Sequence, residues 1–301
     1  MKSRTRGFLS VLALSLLAPA AWAAPAGEGD PVVLAKMHEI NRQLREQGAN
    51  VALSSIEFFT IGERRPPNRI FQTDVRWVPN DARRRADGTN LTYLVDLSDG
   101  ATASGLTAQQ TEAALDQAMD IWAGAKCMKK TPLLKRLDSG ADADVLDASL
   151  GFGEAGDPFL ADIVFAGWYP AALFDTLSPG SSHFVLAFNA TFSFLDPVTG
   201  LPTDVNGDNY EDAAYSELYF NDHFGTPGGS RAGFPWGLDV NLPGIDTQGV
   251  ALHESGHALG LGHFGPPPSA VMGAIYGGAR RALEPVDNAA LCTLYSSWPN
   301  P

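Results

Sequence analysis

Positive charge is what this sequence lacks most: 21 lysines and arginines face 34 aspartates and glutamates, a formal charge of -13 at pH 7. So acidic a surface disfavours nucleic acid and anionic membranes as partners and favours solubility. The one basic cluster, Arg83-Arg84-Arg85, is too short to reverse that balance and reads as a solvated loop. Beyond the N-terminus no apolar run is long enough to span a bilayer, so stable membrane insertion is not expected. Cysteine is scarce: Cys127 and Cys292 are the only two, and a pair can form one bridge or stay reduced and buried. Internal repeats and low-complexity segments are absent, and 301 residues suffice for one large domain or two small ones.

The N-terminus differs from the rest. Lys2, Arg4 and Arg6 precede the apolar run Phe8 to Leu17, and Ala21-Trp22-Ala23 offers a small-x-small cleavage site. Residues 1–24 therefore read as a secretory signal peptide. Its loss removes three cations and no acids, moving the formal charge from -13 to -16. The expected location is secreted or periplasmic, where a Cys127–Cys292 bridge is permitted and would tie the end of an early helix to the C-terminal one.

Residues 30–48 carry Leu34, Met37, His38, Ile40 and Leu44 on a rough helical stripe, and residues 51–61 are strand-like in their branched and aromatic content. Pro66-Pro67-Asn68 breaks the pattern. Residues 79–88 are polar, basic and turn-rich, either a domain boundary or a surface loop. Residues 25–88 thus read as an N-terminal extension or pro-segment ahead of a main domain at 89–301. Within that domain, strands are expected at 91–97, 161–168, 184–194 and, briefly, 218–221. A helix opens on the capping box Thr107-Ala108-Gln109-Gln110 and runs to Ala123, and a last helix starts at Glu284-Pro285.

One stretch has a spacing that dictates chemistry: His253-Glu254-Ser255-Gly256-His257-Ala258-Leu259-Gly260-Leu261-Gly262-His263. Asp246 is placed to cap a helix that closes near Gly260. Histidines four apart share a helix face, so His253 and His257 point the same way. Gly260 can turn the chain so that His263 comes back toward them. Three imidazoles with a fourth position open describe a catalytic zinc site rather than a closed structural one, and Glu254 is placed to act on a metal-bound water. A second candidate is Asp204, Asn206, Asp208 and Asp212, oxygen-bearing side chains in a Gly-containing turn that suits calcium or, equally, a solvated acidic turn.

The histidine motif, followed by Val271-Met272-Gly273-Ala274-Ile275-Tyr276 and the closing Leu294-Tyr295, resembles the metzincin metalloproteases, and within them the matrixins. The resemblance implies an α+β zincin fold: a twisted mixed sheet of about five strands with an antiparallel edge strand, two packing helices and a C-terminal helix. It implies one catalytic zinc on His253, His257 and His263, a hydrophobic floor at Met272 and a pocket wall at Tyr276. Val185, Leu186, Ala187, Phe188 and Asn189 resemble the edge strand on which an extended peptide pairs. No cysteine precedes Cys127, so the thiol that masks zinc in matrixin pro-segments has no counterpart. Asn189 and Tyr219 stand at the equivalents of a second zinc site, which is not expected. The activity implied is a zinc endopeptidase, probed against two alternatives: a secreted zinc-binding protein without turnover, and a zinc hydrolase of non-peptide amides or esters. A monomer acting on protein or peptide substrates is expected.

Overall fold

In the computed structural model of the chain, residues 30–62, 73–154 and 156–298 are described; the signal-peptide reading at 1–24 and the Pro66-Pro67-Asn68 break lie outside them. Nine strands form: β1 (Val51–Thr60), β2 (Val75–Arg76), β3 (Leu91–Val95), β4 (Leu133–Lys135), β5 (Ile163–Tyr169), β6 (Val185–Phe194), β7 (Glu211–Asn221), β8 (Trp236–Gly237) and β9 (Ile245–Asp246). Six α-helices accompany them: α1 (Pro31–Glu46), α2 (Ala108–Ala123), α3 (Leu146–Leu150), α4 (Ala171–Leu177), α5 (Thr247–Ala258) and α6 (Pro285–Tyr295).

The first seven strands make one mixed sheet in the order β1-β6-β7-β5-β3-β4, with β2 added in parallel to β7. The pairs β3/β4, β3/β5 and β5/β7 are parallel, and β6 is antiparallel to both β7 and β1. The sheet is α+β and mixed, as expected, with two more strands than anticipated. β2 and β4 are only two and three residues long, too short for an alternating pattern to register. β7 is longer than expected because Ser216, Glu217 and Asn221 are buried in it with polar partners, which hides its strand character behind polar residues.

Side chains alternate across the strands, so the sheet buries two faces. On one, Leu218 and Phe220 of β7 and Ile163 and Phe165 of β5 meet α2 (Leu115, Ala118, Met119, Trp122) and α5 (Val250, Ala251, Leu252). On the other, Tyr215 and Tyr219 of β7 and Phe188 and Phe192 of β6 meet α1 (Val33, Met37, Ile40, Leu44) and α4 (Leu173, Phe174, Leu177). The expected N-terminal extension therefore contributes a helix and two strands, β1 and β2, to this layered core. α2 begins on the capping box at Thr107 and Gln110, and Cys127 is bonded to Cys292, fastening the segment after α2 to α6.

The basic cluster corrects the expectation of a solvated loop at Arg84, while Arg83 and Arg85 are exposed. Arg84 is buried, donating from Nε to Asp162 Oδ1 at 3.0 Å and to the carbonyls of Val78 and Asn90. Arg83 pairs with Asp81 and with Asp212 Oδ2 at 2.7 Å. A guanidinium is tolerated inside because its N–H fork is satisfied on several sides. No described helix is long and apolar enough to cross a membrane.

A tri-histidine centre under the first strand

α5 is buried along its whole length, so its residues are chosen by packing as much as by chemistry. Asp246 caps it, accepting from Gly249 N at 2.8 Å, and Arg281 holds the same carboxylate. After Ala258 the chain turns through Gly260 at φ +92, a left-handed conformation that glycine adopts without steric cost. The turn closes with Gly260 N donating to His257 O at 2.8 Å and Leu261 N to Gly256 O at 3.0 Å. It swings His263 back beside the helix.

The Nε2 atoms of His253, His257 and His263 lie 3.1–3.2 Å from one another. His253 Nδ1 is 2.8 Å from Val271 O and His257 Nδ1 is 2.7 Å from Leu261 O. A carbonyl only accepts, so these Nδ1 atoms carry the protons and each Nε2 presents a lone pair. Lone pairs that close together repel unless a cation joins them. A point 2.0–2.1 Å from all three, the usual zinc–imidazole distance, exists just off their plane. Burial and the neighbouring imidazoles push His253 well below the ordinary histidine range, and burial above all takes His257 down to about 3. Both are therefore neutral at physiological pH.

Glu254 is fully buried, and neither carboxylate oxygen has a hydrogen-bond partner among the described residues. Burial, with Glu57 nearby, pushes its pKa well above the ordinary value. A buried carboxylate without a described partner, next in sequence to His253, fits a group that acts on a water.

Met272, expected as the floor, packs against the histidine helix. A Cβ built on Gly256 would meet Met272 Sδ at 2.3 Å and Trp122 Cζ2 at 2.9 Å, so the motif's central glycine is the residue that lets helix and floor touch. Asp287 of α6 fixes the floor by accepting from Val271 N at 2.9 Å and Met272 N at 3.3 Å. Sequence reasoning missed that role; a buried acid in the first turn of the last helix was the available signal. Tyr276 accepts from Asp246 N at 2.8 Å through its hydroxyl, and its ring stands edge-on to Phe59 at 5.8 Å.

The other expected sites fare differently. Val185 to Asn189 are not an open edge: β1 pairs with them antiparallel, Thr60 with Val185, Phe59 with Ala187, Phe58 with Phe188 and Glu57 with Asn189. The branched and aromatic content of residues 51–60 makes them a strand, and β6 is the partner they take. Of the calcium candidates, Asp204 accepts from Asp208 N and Asn209 N, Asp208 from Tyr210 N, and Asp212 is committed to Arg83 and Thr203. Their acids do not converge. Another group does, Asp96 with Asp142 and Asp144. Asp144 also accepts from Tyr219, one of the positions read against a second zinc. Asn189, the other, is bonded to Ser216 and Thr191.

Residues 208–296 match the family model described as Matrixin. The matched stretch includes β7, the histidine helix, the methionine turn and α6, and the protein is matrixin-like there, in keeping with a metzincin fold. No curated protein matches the chain.

Proposed function

We propose, with the matrixin-like character of residues 208–296 as the premise, that the protein is a zinc-dependent endopeptidase acting on extended protein substrates. One observation carries the reading: three Nε2 lone pairs converge within 3.2 Å of each other beside a buried carboxylate that has no partner of its own. His253, His257 and His263 would hold the ion, with two of their Nδ1–H groups anchored on carbonyls so that ring orientation is set in advance. Bound there, zinc supplies the Lewis acidity that makes water nucleophilic near neutral pH and that stabilises negative charge on the substrate carbonyl.

Glu254 does the proton work. Its raised pKa suits a base that takes a proton from the attacking water and returns it to the leaving amine. Tyr276 and the Met272 floor shape the pocket beside the histidines, and the 274–276 segment offers backbone groups to an extended chain.

Gelatin or casein zymography, with and without phenanthroline, tests this. Clearing that disappears with the chelator and returns with zinc is the expected result. A zinc-loaded protein that hydrolyses an ester but no protein would move the reading to a non-peptide hydrolase.

A further inference from the structure

The tri-histidine centre is covered, and what covers it is the chain's own first strand. β1 is held on both sides. Along β6 it is paired from Val51 to Thr60. On its other side Thr60 N donates to Ala274 O at 3.4 Å and Tyr276 N donates to Thr60 O at 2.7 Å, a parallel bridge to the pocket wall. Ile61 N then reaches Phe184 O at 2.8 Å. A peptide seated by main-chain bonds between a sheet strand and a wall segment is strand addition, a common mode of peptide recognition.

Side chains within this strand alternate, which puts Glu57 and Phe59 on the histidine side. Phe59 stacks flat on His253 with ring centroids 3.8 Å apart and meets Tyr276 edge-on. Glu57 Oε2 lies 3.4 Å from His263 Nδ1. Phe58, between them, turns its ring the other way, against Phe188. The strand from Glu57 to Phe59 therefore spans from the third histidine to the first, with Glu57 at one ring and Phe59 on the other.

We infer that residues 51–61 are a built-in pseudo-substrate: they occupy the place of an extended peptide, Phe59 fills the specificity pocket, and Glu57 holds the third histidine at its outer nitrogen, Nδ1. This rests on the zinc endopeptidase reading of the same site and adds two things to it. First, the site prefers peptides with an aromatic side chain just beyond the cleaved bond, since the pocket between His253 and Tyr276 holds one already. Second, a substrate binds only when β1 leaves, so its apparent affinity is reduced by the fraction of molecules in which the strand is out. Here a strand carrying a carboxylate covers the site, in a sequence with no thiol ahead of Cys127.

The test uses the full chain carrying Glu254→Gln, loaded with zinc, so that binding is read without turnover. The probe is a fluorescein-labelled peptide of the sequence Ser-Ile-Glu-Phe-Phe-Thr-Ile. Its Kd is measured by anisotropy on this chain and on chains that also carry Phe59→Asp or Thr60→Pro, which expel the pocket residue and remove the wall hydrogen bond. We expect binding at least about tenfold tighter in both variants, and at least about tenfold weaker when the second Phe of the peptide is replaced by Ala.

Because either variant can perturb folding, hydrogen exchange on the chain with native β1 provides the second readout. Saturating peptide should raise exchange of the 51–60 amides while those of β7 stay protected. Equal affinities in all three chains, or peptide bound with β1 still protected, would overturn the inference while leaving the zinc reading intact. Failure of the native chain to hold zinc at all would overturn both.

Discussion

The ring of Phe59 lies on that of His253, planes 9° apart and centroids at 3.8 Å. This contact joins β1 to the first histidine of the triad, packing on the face of a ring whose Nδ1 is held in plane by Val271 O. Both residues are buried. Phe59→Ala should therefore lower stability by about 3–5 kcal/mol, the cost of a buried phenylalanine truncated to alanine. Chemical denaturation of the metal-free protein measures it, and a loss under about 1 kcal/mol would mean the ring is not packed as described.

Gly256 has no room for a side chain. Its would-be Cβ falls 2.3 Å from Met272 Sδ, and both flanking groups are fully buried. Gly256→Ala should force Met272 or Trp122 aside and cost about 1–3 kcal/mol. A parallel fall in zinc affinity is expected, because the helix carrying two ligands must shift. Calorimetry and chelator competition on the same sample report the two effects.

Asp287 accepts from three backbone amides, Val271, Met272 and Glu284, at 2.9, 3.3 and 2.8 Å. Asp287→Ala leaves buried N–H groups without acceptors, each worth about 1–3 kcal/mol. The expected outcome is a destabilised protein with weakened zinc binding, whereas Asn288→Ala, one residue along, should change zinc affinity little.

A pH effect comes from the other face of the sheet. Glu217 is fully buried with Tyr219 and Asp144 around it, and burial pushes its pKa up to about 8, against an ordinary 4.5. An acid whose folded pKa is raised favours the folded state while protonated. That contribution is complete below the unfolded value and is lost as pH rises through the folded one. Between pH 4.5 and about 8 the melting temperature should fall and then level off, and Glu217→Gln should flatten the slope. A variant with an unchanged slope would contradict this.

Much of the site was legible because metal chemistry fixes residue types at fixed spacings. The three histidines come together as their spacing implies, with the chain turning at Gly260. α2 and its capping box were equally readable, since amphipathic period and cap agree there. What stayed hidden depends on pairing between distant segments. Nothing local in Val51–Thr60 says that it lies against Val185–Asn189, which left β6 looking like an open edge. Arg84 looked solvated because its acceptors, Asp162 and the carbonyls of Val78 and Asn90, are assembled by the fold. Asp212 looked like a calcium ligand for the same reason: Arg83, its partner, comes from 129 residues away.

The most direct measurement compares the native chain with Glu254→Gln for zinc content and for hydrolysis of an aromatic-containing fluorogenic peptide. Both are also made in the Phe59→Asp background, so that a covered site is not mistaken for an inert one. One zinc per chain is expected in every form, with hydrolysis reduced by a factor on the order of 100 or more wherever Glu254 is replaced. Undiminished hydrolysis by the zinc-loaded Glu254→Gln protein would contradict this.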